Sequence, residues 1–503
     1  MTTRFLRNAL AASVLLGVLP AGAVTLGANG IGQVLVYPYY TVNKGQDTLI
    51  TIVNTSAVGK VLQVRFLEGY NGRRVLDYML FLSPHDVWTA AISQTADDGG
   101  AKLATSDASC TIPALPAAGI PFSSAGYDGS SLFPADAGPQ GITRTREGFI
   151  EIFALADINP GSATDIATTH VQNGIPGDGV PPGCATLGDA MIQADGITPT
   201  NGVSGSASIV NVGQGTFFAY NADALQGFTD VPMLSPAADL GVSFQEANNA
   251  DAVSGVATAH IFNSEGRPLA IDYAFGVDAV SAVFMADAIY NEYVTSSSLG
   301  ANTDWVVTMP TKEFYVDKDL YPANPTAPFV QAFDAPGQAI TDVATTITDR
   351  EEGTIQQPCQ PGFEPPPCEP PIALLYEANV LPFNTGQALT PWPIGAPSGV
   401  LGSQLTPFAI DTYGDDGSAT LDLAGGDGGH LLPGGIDADG QAMTVIGLPV
   451  TGFMVYNIIN AHAQPGLLAN YGGTFAQRTT MSCVGASALC ASVITGGGAE
   501  DVR

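Results

Sequence analysis

Five runs near the start of the chain decide the fold class: Val34-Leu-Val-Tyr-Pro-Tyr-Tyr40, Thr48-Leu-Ile-Thr-Ile-Val53, Val61-Leu-Gln-Val-Arg-Phe66, Val75-Leu-Asp-Tyr-Met-Leu-Phe81 and Val87-Trp-Thr-Ala-Ala-Ile92. Each is rich in β-branched and aromatic residues, the types that fit a pleated, half-buried surface. Asn43-Lys-Gly45, Asn54-Thr-Ser56, Asn71-Gly72 and Ser83-Pro84 separate them and supply turn chemistry. Short strands at roughly ten-residue spacing, several alternating in and out, predict an antiparallel β-sandwich of immunoglobulin-like type. Trp88 and Phe66 are expected in its core.

After Gln94 the texture changes. Residues 95–145 are Gly, Pro, Ser, Ala and Asp with few strand runs, which predicts a long surface excursion. Strand texture returns at 148–154, 217–220, 305–308, 314–316, 372–376 and 450–456. Between them, Asp278 to Tyr293 places Val280, Val283, Phe284, Asp287 and Tyr290 at helical spacing and is the best helix candidate of a β-rich chain expected to hold long loops and at most one or two helices. The chain thus divides into a leader (1–23), a sandwich (24–95), a β-rich region with long Gly- and Pro-rich insertions (96–355), a Pro-rich loop (356–371) and a C-terminal β-rich region (372–503). That last region either stands alone or packs with 24–95 as one unit.

The leader reading rests on three parts in order. Arg4 and Arg7 come without an acid, an apolar run from Asn8 to Pro20 is too short to span a bilayer, and Ala21-Gly-Ala23 offers small residues for a signal peptidase cut before Val24. No later apolar stretch reaches spanning length. The expected location is outside the cytoplasm: extracellular, at the cell surface or periplasmic. Net charge is −31, deepening to −33 once Arg4 and Arg7 leave with the leader. Such a surface repels nucleic acid and anionic lipid.

All six Cys follow the cut, an even number suited to an oxidising compartment. Spacing favours Cys359 with Cys368 and Cys483 with Cys490 as local loop closures, leaving Cys110 for Cys184. Six Cys allow fifteen pairings, so spacing alone does not exclude the others.

The segment 411–440 holds seven Asp, nine Gly and no Lys or Arg. Hard cations favour carboxylate and carbonyl oxygens on flexible turns, so Asp415, Asp416, Asp437 and Asp439 are candidate Ca²⁺ ligands. The competing reading is a set of acidic turns without an ion. Motifs for a Ser nucleophile elbow, a His-Glu-x-x-His zinc helix and Cys-x-x-Cys-His haem attachment do not occur. A glycosidase needs only two placed carboxylates, which 47 acids neither offer nor refuse.

Tyr37-Pro-Tyr-Tyr40, Phe66-Leu-Glu-Gly69, Leu82-Ser-Pro-His-Asp-Val-Trp88, Asp304-Trp-Val-Val-Thr-Met-Pro-Thr-Lys312 and Asn470-Tyr-Gly-Gly-Thr-Phe475 together resemble a set of exported or surface proteins of Gram-negative bacteria. To that set no activity is attached. The resemblance implies export and an envelope or extracellular role, and it carries over no catalytic residue. The leading expectation is a non-enzymatic secreted or surface component, whether of envelope, matrix, adhesive or filament, with surface polysaccharide or another protein as partner. The alternative is a secreted polysaccharide hydrolase using a carboxylate pair. Oligomeric state is left open.

Overall fold

In the computed structural model the run that opens the sequence forms the strand Val34–Thr41, with all eight residues buried. Lys60–Glu68 and Glu147–Ile158 are equally closed to solvent along their whole length. The structure describes residues 22–485 and 490, apart from 97–98, 173–174, 177–178, 236–240, 250–254, 263–265, 357–371, 386–392, 413, 427–428, 461–463, 465–466 and 468.

Burial on both sides explains why these runs carry apolar residues at consecutive positions. Leu35 and Tyr37 point into one core and Val34 and Val36 into another. Leu80 and Phe81 divide in the same way, as do Ile152 and Phe153. With a side-chain period of two, a strand that serves two cores has no solvent face, so Arg65 and Glu151 within these strands must find partners inside.

The protein is mainly β and largely antiparallel. Its largest sheet, of thirteen strands, is centred on Val34–Thr41, Glu147–Ile158, Lys60–Glu68 and Arg74–Leu82. On the far side it continues through Asp223–Gln226, Ala23–Leu26, Ala257–Phe262 and Pro268–Tyr273 to Leu431–Asp437, Ala442–Ile446 and Ser482–Gly485. The four-residue strand Ala23–Leu26 is the seam. It runs antiparallel to Asp223–Gln226 on one edge and parallel to Ala257–Phe262 on the other.

A six-stranded sheet packs over one face, built from Asp47–Asn54, Val87–Gln94, Ala101–Ala104, Ile120–Pro121, Val203–Asn211 and Thr216–Asn221. In Val87–Gln94, buried Trp88, Ala90 and Ile92 alternate with exposed or partly exposed neighbours, as expected of an outer sheet. Trp88 and Phe66 sit fully buried between the two sheets. Residues 24–95 therefore divide between two sheets, each of which also holds strands from later in the chain.

The C-terminal half contributes a five-stranded sheet with Ala301–Thr308 between Ala378–Thr385 and Thr451–Ile458. A further sheet has Asp416–Asp422 between Thr341–Asp349 and Ala288–Val294. The halves interlock: Tyr220 stacks on Phe453 at 4.6 Å, and the Thr308 hydroxyl donates to the Pro38 carbonyl at 2.6 Å.

Three expectations change. The helix covers only Gly276–Phe284, and Ala288–Val294 is a strand. The reason is visible in the residues: Ile289, Asn291 and Tyr293 are buried while Tyr290 and Glu292 are not, a period of two that overrides the helical spacing. Phe314–Val316, expected as a strand, belongs to the short helix Glu313–Val316, started where Lys312 N–H turns back to the Met309 carbonyl. Residues 95–145 are more than a surface excursion, because Cys110, Phe122, Tyr127 and Arg144 are buried.

Among the described residues two disulfides are present, Cys110–Cys184 and Cys483–Cys490. Cys359 and Cys368 lie outside the described residues. Among the described residues no helix is long and apolar enough to cross a membrane.

Candidate functional site

The chain has few cations and places many of them inside. Among the described residues, five Lys and Arg are buried: Lys60, Arg65, Arg73, Arg144 and Lys312. A buried charge is tolerated only when paired and hydrogen-bonded, and each of the four Lys and Arg nearest the N-terminus among these has a carboxylate. Strand register explains one set. Glu151, Arg65 and Asp77 stand opposite one another on three adjacent strands, and the Arg65 guanidinium reaches both acids at 3.4 Å. Lys60 meets Asp157 at 2.6 Å.

The turn after Phe66-Leu-Glu-Gly69 organises a second set. The Glu68 carboxylate accepts the N–H groups of Tyr70, Asn71 and Arg73, and Arg144 donates to it through Nε (2.7 Å) and Nη2 (2.8 Å). Arg144 also donates to both oxygens of Asp136 and lies 4.2 Å from the Tyr127 ring centre. Burial works against the Arg144 charge, but Glu68 and Asp136 outweigh it and keep the group protonated. Arg73 Nε reaches Asp317 at 2.6 Å.

Gly72, at φ +68°, sits over two further acids. A Cβ there would lie 2.4 Å from Glu377 Oε2 and 3.0 Å from Glu313 Oε2, so a side chain would displace these carboxylates as well as strain the backbone. Burial, reinforced by Glu151, pushes the Glu313 carboxyl up to about 8. Burial and Glu313 hold Glu377 well above the usual carboxylate range. Beside them the Lys312 amine donates to the carbonyls of Ala339 and Tyr376, and burial lowers it to about 7. Glu147 accepts from Tyr39, Ser403 and Gln404, and Asp304 accepts from Ser398, Val400 and Leu401. The motifs around Tyr37, Phe66 and Asp304 thus meet in one closed polar junction that ties the halves of the molecule together.

The open site lies elsewhere, where the seam strand ends. Beyond Leu26 the strands Asp223–Gln226 and Ala257–Phe262 lose their shared partner, and two cavities of about 520 and 690 Å³ open there with Leu26, Asp223 and Phe262 common to both. Leu26 (42 % exposed) and Phe262 (56 %) present apolar surface at this boundary. The Thr451 hydroxyl donates to Asp223 Oδ2, and burial raises the Asp223 carboxyl above its ordinary value. Around it stand hydroxyl and amide groups, among them Thr25, Asn221, Ser206, Gln477 and Thr479. Asp223 is the sole carboxylate among the described lining residues, and none of them is Lys or Arg.

Of the four Asp proposed as calcium ligands, Asp415 and Asp416 stand at the start of the strand Asp416–Asp422, and Asp437 and Asp439 at the turn that ends Leu431–Asp437, a strand of a different sheet. Asp415 accepts from Ser296, Asp416 faces Arg350 at 3.3 Å, and Asp437 closes its own turn by accepting the N–H groups of Asp439 and Gln441. Among the described residues no group of three or more His, Cys, Asp or Glu is arranged to hold a metal.

Sequence reasoning missed both the junction and the cleft. Arg65 inside an apolar strand run and Lys312-Glu313 before Phe-Tyr-Val were the available signals for the junction. Asp223 and Phe262 carry none, because only the departure of the seam strand brings them together. Comparison with protein-family models, curated proteins and solved structures yields no match to this chain.

Proposed function

We propose that this is an exported, non-catalytic protein of the cell surface or extracellular space that works by binding. The observation that carries the reading is the contrast between the two polar regions. The chemically rich one, with its strongly perturbed acids, is sealed: Glu377 has no exposed surface and Glu313 8 %. The accessible one is a cleft of neutral polar and apolar groups with a single described carboxylate. Carboxylate-pair hydrolysis needs two acids flanking a bond that substrate can bring to them.

The outer surface fits the same role. Lys44, Arg350 and Arg478 are exposed, and each is already engaged, with the Gly399 carbonyl, with Glu351 and Asp416, and with Glu292. The surface of this strongly acidic chain thus offers few unengaged cations, which favours solubility outside the cell and rejects polyanions. The two disulfides suit an oxidising compartment.

The test is to incubate purified protein with soluble and particulate polysaccharides and with intact cells. Retention on cells or particles with no new reducing ends is the expected result. Reducing-end release above a protein-free control overturns it.

A further inference from the structure

We infer that the cleft at the end of the seam strand is a carbohydrate site for neutral, hydroxyl-rich oligosaccharides. This rests on the reading of the protein as a binder and names the ligand class.

Size decides first. Cavities of about 520 and 690 Å³ are of small-ligand scale, typically ~300–1,000 Å³. A protein partner would instead need a surface of about 800 Å² per side. The two share Leu26, Asp223 and Phe262, so a chain of a few sugar rings can cross from one to the other over those residues.

Chemistry decides next. A sugar ring has an apolar C–H face and a rim of hydroxyls. Phe262 and Leu26, both exposed at the shared boundary, offer the flat apolar surface that the C–H face requires. Thr451 occupies Asp223 Oδ2, leaving Oδ1 as an acceptor for a sugar hydroxyl at the cleft wall. Thr25, Asn221 and Thr479 supply neutral donors and acceptors on either side.

Charge decides last. With no Lys or Arg among the described lining residues and a chain of net charge −31, an anionic glycan meets repulsion and no counter-charge.

The experiment is calorimetric titration of the purified protein with maltohexaose, cellohexaose and the hexamer of N-acetylglucosamine, with an oligogalacturonate of the same length as the anionic probe. At least one neutral hexamer is expected to bind in the micromolar to millimolar range, and the anionic one not to bind. Phe262→Ala, which removes an exposed ring without touching the core, should weaken binding about tenfold. The isosteric Asp223→Asn should weaken it also, and Leu132→Ala, a fully exposed site away from the cleft, should not. Circular dichroism of each variant confirms that it is folded. Absence of binding by all three neutral hexamers at millimolar concentration overturns the site, as does binding that Phe262→Ala leaves unchanged. Retention on cells through a protein component, with no glycan binding, would sink this assignment while leaving the binding role intact.

Discussion

Arg144 shows what a single residue contributes. It donates to Glu68 and Asp136, and neither acid has solvent to turn to. Removing one partner of a buried ion pair strands the other, at a cost of about 3–5 kcal/mol. Arg144→Met is therefore expected to lower unfolding free energy by that order in a denaturant titration. A change below about 1 kcal/mol would show that the pairing is dispensable.

The acids beneath Gly72 make a second prediction at this scale, in pH. Glu313 keeps its proton to about pH 8 in the folded protein, against an ordinary value of 4.5. Between those limits the folded state binds more protons than the unfolded chain, so this group's contribution falls as pH rises. Lys312 acts oppositely: lowered from 10.5 to about 7, it is neutral when folded while the unfolded chain still holds a proton, and stability rises with pH across that window. Thermal melts from pH 5 to 10 should show Glu313→Gln flattening the fall below pH 8 and Lys312→Met flattening the rise above pH 7. Unchanged slopes in both variants would contradict the burial described.

Among elements, the Cys110–Cys184 link closes 74 residues of chain, whereas Cys483–Cys490 closes 7. By chain entropy the first is worth about 4 kcal/mol and the second about 2 kcal/mol. Replacing both Cys110 and Cys184 with Ala should accordingly shift the unfolding midpoint more than replacing Cys483 and Cys490. The reverse order would contradict the loop-closure account. The strands were legible in the sequence wherever residue type and period agreed, as in Thr48–Val53 and Val87–Ile92. Ala288–Val294 was misread because Val280, Val283 and Phe284 just before it carry a true helical stripe, and an apolar run alone does not show where one period yields to the other.

For the whole molecule, local pattern predicted the class but could not predict the closure. The sheet that organises the protein draws strands from residue 23 to residue 485, and non-local pairing of that kind leaves no periodic trace. The candidate site was hidden for the same reason, since Leu26, Asp223 and Phe262 are neighbours only through the sheet. The quoted motifs are placed differently: Tyr39, Glu68 and Lys312 are all buried, within the polar junction.

We propose that this β protein is exported, cut before Val24 and oxidised. Intact-mass measurement on protein recovered from fractionated cells tests it most directly. The predicted species lies outside the cytoplasm, begins at Val24 and carries its cysteines as disulfides. A cytoplasmic species that begins at Met1 with free thiols would contradict the account.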